Sequence, residues 1–188
     1  MRADARRNRE RILETAREAF AIEGLTVSLD EIARRAGVGP GTVHRHFPAK
    51  EALIEAVLTE HLASLTEQAR QAVQSDRDGS AFFPFLHSLI SDAHGKQDLA
   101  DALAQAGVKL SERTQETALD LRQAFADLLV RAQEAGAVRT DVDAEDVQAI
   151  VLGALTAERH HPAPDRPGRM AAVVLDCLLP TPEERPRG

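Results

Sequence analysis

Tryptophan and tyrosine are absent from this 188-residue chain, and aromatic residues make up only 3% of it. Any core must therefore be built mainly from Leu, Val, Ile and Ala. No apolar run reaches the roughly 18 residues a membrane-spanning helix needs, and the N-terminus has no secretory pattern. One cysteine, Cys177, excludes an internal disulfide. These absences point to a reducing cytoplasm and to no membrane partner. Catalytic signatures are missing as well. There is no nucleophile elbow, no glycine-rich phosphate loop and no pair of metal-ligand motifs, so no catalytic residue, cofactor or metal is expected. His44 and His46 stand two apart, whereas two ligands on one helical face want a spacing of three or four. His160 and His161 beside Pro162 read as solvated loop, and Cys177 as a small core or interface residue.

What is present is helical periodicity, with almost no two-residue alternation, and this predicts an all-α fold. The most informative stretch is SLDEIARRAGVGPGTVHRHFPAK, from Ser28 to Lys50. Ser28 and Glu31 have capping-box spacing, in which each side chain satisfies a free backbone N–H of the other. Ile32, Ala33 and Ala36 give one apolar face. Gly37 falls where the chain must turn with φ > 0. Gly39 and Pro40 restart a helix, with Pro favoured at the first helical position. Val43 and Phe47, four apart, pack back onto Ile32 and Ala36. Pro40, Gly41, Thr42, His44 and Arg45 are left on or near the outward face. Short polar groups and an Arg on such a helix suit a DNA major groove. The pattern is a helix-turn-helix, and its candidate DNA-contacting residues are Ser28, Pro40, Gly41, Thr42, His44, Arg45, His46 and Lys50. Arg45 either reads a base or holds a phosphate. Lys50 opens the fourth helix, whose free N–H groups favour a phosphate.

Charge divides along the chain. The first 50 residues hold ten Lys/Arg against seven Asp/Glu, +3, and the other 138 hold thirteen against twenty-three, −10. A basic end on an acidic remainder suits a protein that meets phosphate at one end only. Arg2, Arg6, Arg7, Arg9 and Arg11 are either part of that field or a solvated helix start. The stretch Arg2–Arg7 is expected to be a disordered arm in the absence of DNA.

Nine helices are expected in all. The first runs from about Asp4 to Glu23 and is ended by Gly24, and the fourth from about Ala49 to Ser75. Ser80 caps a fifth through Ala93, Gly95 and Gly107 bracket a short sixth, and a seventh runs from Ser111 to Gly136. A capping box at Asp143 and Asp146 opens the eighth, and a loop from Glu158 to Gly168 leads to a ninth. This gives a DNA-binding domain over 1–48, a helical body over 49–180 and a disordered tail over 181–188. In the body, Phe82, Phe83, Phe85, Leu86, Leu89 and Ile90 form the densest apolar cluster. Leu103, Leu121 and Phe125 either join it around a cavity or complete an ordinary core, with His87 and Thr117 as polar groups inside any cavity. The candidate ligand-binding set is thus Phe83, Leu86, His87, Leu103, Thr117, Leu121 and Phe125. Helices eight and nine carry apolar stripes that call for a partner, and the expected dimer contacts are Val147, Val151, Ala154, Val174, Cys177 and Leu178.

From Arg9 to Leu58 the sequence resembles the N-terminal domain of TetR-family transcriptional regulators. The resemblance rests on ILETAREAFAIEG, SLDEIARRAGV and GTVHRHFPAKEALIEAVL, with a similar GAVRTDVDAEDV stretch before the eighth helix. It implies a homodimer with three-helix DNA-binding heads, an effector-binding body and a four-helix bundle formed by the last two helices of each subunit. By resemblance, Thr42, His44 and Lys50 meet phosphates and Arg45 often reads a base, with His44 standing where the family usually has Tyr. The expectation is a repressor that binds a pseudo-palindromic double-stranded DNA operator and is released by a small-molecule effector. The alternatives are an activator of the same fold, or a DNA-binding adaptor whose body recruits a protein.

Overall fold

The stripe Ile12, Leu13, Ala16, Ala19 and Phe20 is buried along the first helix, α1 (Arg2–Glu23), which Gly24 ends at φ +71°. The computed structural model describes residues 2–93, 97–160 and 169–180; among them are nine α-helices, a 3-10 turn at Gly24–Thr26 and no strand. The other helices are α2 (Leu29–Ala36), α3 (Pro40–His46), α4 (Lys50–Ser75), α5 (Phe82–Ala93), α6 (Gln97–Gln105), α7 (Glu112–Glu134), α8 (Ala144–His160) and α9 (Arg169–Cys177). No described helix is long and apolar enough to cross a membrane. Gly95, the residues His161–Gly168 and the tail from Thr181 lie outside the described residues.

The chain divides into two units. Unit 1 is Met1–His61 with Gly95–Glu116, and unit 2 is Leu62–His94 with Thr117–Gly188. This differs from a boundary at residue 48, because the first half of α4 is bound into the N-terminal unit. Lys50 Nζ donates to the Leu25 carbonyl, and Glu60 pairs with Arg9 at 3.7 Å and Arg17 at 2.9 Å. Leu53, Ile54, Val57 and Leu58 of the same half are buried.

Unit 2 has its own core. Ala69 of α4, Phe82, Phe85, Leu86 and Ile90 of α5, Ala124, Leu128, Leu129 and Ala132 of α7, Val147, Val151 and Ala154 of α8, and Val174 and Leu178 at the α9 end form one buried cluster. Each large side chain so buried contributes about 1.5–3 kcal/mol. The α8 capping box forms as expected. The Asp143 N–H donates to Asp146 Oδ2 at 3.1 Å, and the Asp146 N–H returns to Asp143 Oδ1 at 2.9 Å.

Three helix ends depart from expectation. α1 begins at Arg2, so the stretch expected to be a disordered arm is helical, with Arg7 paired to Asp4 and Arg6 to Glu10. α8 continues to His160, past the expected loop start at Glu158. α9 begins at Arg169, directly after the expected end of the loop at Gly168. Ser80 does not cap α5. Its N–H donates to Asp78 Oδ1 at 3.2 Å in a turn, and the Ala81 carbonyl accepts the Phe85 N–H at 3.2 Å instead.

That turn is seated tightly. Gly79 has φ +76°, and a Cβ built on it would lie 2.8 Å from Ala135 Cβ, 3.0 Å from Ala137 Cβ and 3.1 Å from Ala132 Cα. Gly107 also has positive φ, +65°, but open space around it. Gly79→Ala should therefore destabilise the protein by about 2–4 kcal/mol, from conformational strain plus overpacking, and Gly107→Ala by only about 1 kcal/mol from strain alone. Thermal melts of the two variants test this; equal shifts would mean the turn has room to relax.

Candidate nucleic-acid interface

Unit 1 presents α3 through a chain of local devices. Ser28 Oγ accepts the Glu31 N–H at 3.2 Å and starts α2. The reciprocal half of the expected capping box is replaced, because the Glu31 carboxylate takes Arg34 Nε at 2.8 Å, Arg34 Nη2 at 2.6 Å and Arg35 Nε at 2.6 Å. Arg35 reaches back to Glu23 as well. Hydrogen bonds from Arg34 and then Arg35 hold the Glu31 carboxyl at about 2, far below 4.5, and bonds to Glu23 and Glu31 push the Arg35 guanidinium further up.

α2 ends in a Schellman turn. Gly37 sits at φ +65°, its N–H donating to the Arg34 carbonyl at 3.2 Å and the Val38 N–H to the Ala33 carbonyl at 3.0 Å. The Arg11 guanidinium donates to the Ala36 carbonyl, placing a cation at the negative end of α2. Gly39 then caps α3, with Pro40 in its first turn and the Phe47 N–H closing it onto the Val43 carbonyl at 2.8 Å.

Val43 is fully buried and Phe47 nearly so, along with Ile32, Ala33 and Ala36. Pro40, Gly41, His44 and Arg45 are exposed, and Thr42 and His46 are half-buried. Arg45 lies along its own helix, Nε donating to the Gly41 carbonyl at 3.0 Å and Nη2 to Thr42 Oγ1 at 3.4 Å. The His44 ring approaches Asp30 Oδ1 at 3.7 Å. Ser28 is exposed and engaged as a cap. Half-buried Lys50 spends one of its three donors on Leu25. All eight candidate DNA-contacting residues therefore lie in unit 1, six of them on α3.

The arginines of α1 do not act alike. Arg9 lies over the Phe47 ring at 5.4 Å and beside Glu60, while Arg11 caps α2. Nothing in the local sequence marks these roles, since each partner is 25 or more residues away. Among the described residues no three His, Cys, Asp or Glu are placed to hold a metal ion.

The residues expected around a ligand are divided. In unit 2, Phe82 stands edge-on to Phe83 at 5.5 Å and 5.9 Å from Phe125, with Phe85 at 6.3 Å from Phe125. Leu86 is fully buried, Phe83, Thr117, Leu121 and Phe125 are half-buried, and His87 is exposed. Leu103 is buried on α6, in unit 1.

The expected dimer stripe needs correction. Val147, Val151, Ala154, Val174 and Leu178 are filled by the chain's own core, so they cannot also be a free face. Large apolar side chains left exposed on these helices and the turn after them are Ile150, Leu152, Val173 and Leu179, with Cys177 exposed beside them. Two stripes run along each helix, and periodicity alone does not say which one the chain fills itself.

Comparison with known proteins accords with this architecture. A family model described as bacterial regulatory proteins, tetR family, matches residues 12–57, and one described as transcriptional regulator SbtR-like, C-terminal domain, matches 77–180. The crystal structure of a TetR transcription regulatory protein from Mycobacterium vanbaalenii is similar, with 38% identity, 95% of this chain and 98% of that one covered, and a TM-score of 0.73. The TetR transcriptional regulator SCO0520 from Streptomyces coelicolor is 30% identical, with 92% and 99% covered and a TM-score of 0.70. The HTH-type transcriptional regulator UidR of Escherichia coli (strain K12) is 24% identical over 156 residues, 81% of this chain and 80% of that protein.

The Glu31 hub generates a prediction about acid. A carboxyl lowered in the folded state stabilises fully above its unfolded range and loses that contribution as pH falls toward its folded value. Stability should therefore drop between about pH 4.5 and 2, and Glu31→Gln should flatten that limb while lowering stability at neutral pH. Melting temperature against pH for both proteins checks it; parallel curves would show that Glu31 contributes nothing there.

Proposed function

The chain belongs to the TetR family of DNA-binding transcriptional regulators, and on that basis we propose that it is a cytoplasmic, homodimeric repressor released from its operator by a small-molecule effector. The observation that carries this reading is α3 itself. Its apolar side, Val43 with Phe47 at its end, is buried, while Pro40, Gly41, His44 and Arg45 are exposed. Thr42, His44 and Lys50 are assigned to phosphates, which position the helix, and Arg45 to a base edge, which specifies sequence. Ser28 and His46 flank that surface. Two such heads fit successive major grooves of a pseudo-palindrome about 34–36 Å apart.

Dimerisation is assigned to the outward face of α8 and α9. Ile150, Leu152, Val173 and Leu179 are four of the seven large apolar residues left exposed among the described residues. An open Gly153 lets a second helix approach closely there. The effector is assigned to the aromatic cluster of unit 2, around Phe83, Leu86, Leu121 and Phe125, with Thr117 and His87 as candidate polar groups. A hundredfold preference of that effector for the released state supplies about 2.7 kcal/mol, enough to shift operator occupancy strongly.

Selection of bound duplexes from a random pool tests the DNA reading, and failure to enrich a two-fold symmetric sequence would defeat it. With the selected operator, Arg45→Ala should relax preference at one base position per half-site, costing about 1–3 kcal/mol in discrimination. An equal loss on operator and random DNA would make Arg45 a phosphate contact only. Lys50→Ala should weaken both and reduce the salt slope by about one per subunit.

For the dimer, a charge at an exposed position separates association from folding. Val173→Asp should give a folded 20.4 kDa monomer in sedimentation, because the buried unpaired charge would cost several kcal/mol only at the interface. A dimeric Val173→Asp protein would place the interface elsewhere.

A further inference from the structure

His44 puts an imidazole on the exposed face of α3, and an imidazole gains or loses its charge between about pH 5 and 8. Its Nε2 lies 3.7 Å from Asp30 Oδ1, and both side chains are more than half exposed. That separation is too long for a hydrogen bond but short for a pair of charges. Asp30 stands in the first turn of α2, where the helix dipole favours an acid. His44 stands in the last turn of α3, where it favours a cation. The two helices of the motif thus bring opposite charges together on a surface left to solvent.

The neighbouring charged groups have other partners. On α2, the Glu31 carboxylate takes Arg34 and Arg35. α1, which also packs against α3, sends Arg9 over the Phe47 ring and Arg11 to the Ala36 carbonyl. On α3 itself, Arg45 lies back toward Gly41 and Thr42. His46 is half-buried, its ring 6.3 Å from that of Phe47. Among these groups it is Asp30 that the structure sets against His44.

With His44 protonated, the pair is neutral as a whole and offers a cation to a phosphate. With His44 neutral, the Asp30 carboxylate stands uncompensated on a surface that must meet a polyanion. The charge each head turns toward DNA therefore falls by one unit as pH rises. We infer that Asp30 and His44 together form a pH-dependent phosphate contact, so that operator affinity falls as pH rises through the imidazole range. This rests on the DNA-binding reading above, which assigns His44 to a phosphate, and adds to it a regulation by proton concentration. The linkage is reciprocal: a complex that favours the imidazolium takes up protons as it forms.

The test uses full-length wild type, His44→Gln and Asp30→Asn. Each is titrated with the operator selected by wild type, at several pH values between about 6 and 8 and at several salt concentrations. Wild type should bind about tenfold more tightly at pH 6 than at pH 8, about threefold for each head, the scale of an exposed charge contact. Its salt slope should be steeper at pH 6 by about one per head, since one more phosphate is neutralised. In His44→Gln, which keeps a neutral donor, the affinity ratio should shrink to within about twofold and the two salt slopes should coincide. Asp30→Asn should raise affinity at pH 8 and narrow the ratio to about threefold. Should His44→Gln fold poorly, His44→Tyr, also neutral, gives the same comparison. Equal wild-type affinity at both pH values overturns the inference. A His44→Gln protein with the wild-type ratio overturns it as well, because the titrating group would lie elsewhere, and so does an Asp30→Asn protein with the wild-type profile. These outcomes are read on an operator already in hand and leave the DNA reading standing, whereas a wild type that enriches no sequence overturns that reading and this inference with it.

Discussion

Phe47 is the contact on which the rest of the DNA-binding unit depends. It ends α3, its N–H closes that helix onto Val43, and its ring is buried with only 3% exposure. Arg9 of α1 lies across the ring and pairs with Glu60 of α4, which also takes Arg17 of α1. One aromatic side chain thus ties the end of α3 to α1 and, through Arg9, to α4, and the seven-residue α3 is too short to hold its shape unaided. With Phe47 and Val43 inside, helical geometry leaves Pro40, Gly41, His44 and Arg45 outside. The exposed surface is a consequence of the buried one.

Charge in this unit has two uses that composition cannot separate. Arg9, Arg11, Arg17, Arg34 and Arg35 are engaged with Phe47, Glu60, the Ala36 carbonyl, Glu14, Glu31 or Glu23, and so hold helices together. Arg45 stays on its own helix, bonded to Gly41 and Thr42, contacts that cost little to exchange for a base or a phosphate. An exposed ion pair contributes little to stability by itself. A carboxylate shared by two guanidiniums, as at Glu31, does more to fix the orientation of α2, on which α3 is seated.

Unit 2 shows a different economy. Its helices fill one core with Phe, Leu, Val and Ala, and Ala132 of α7, with Ala135 and Ala137 just past its end, allows the Gly79 turn to lie close against them. α8 and α9 turn Val147, Val151 and Val174 inward, and Ile150, Leu152, Val173 and Cys177 remain outside. An apolar face exposed after a core is complete is the usual mark of a protein interface.

The short-range chemistry was legible in the chain itself. Ser28 and Gly37 bound α2, Gly39 and Pro40 start α3, and Asp143 with Asp146 opens α8, because caps and turns are decided by residues within a few positions of one another. The all-α class and the burial of Val43 and Phe47 followed from periodicity for the same reason. The tertiary structure alone decided where long-range partners lie. It placed Arg11 on Ala36 and Leu103 in the other unit from Phe125. It also decided which of two apolar stripes on α8 and α9 faces the core. Periodicity fixes the angle between side chains on one helix, but not the rotation of that helix about its own axis. That rotation is set by packing against neighbours distant in sequence, which no local pattern encodes.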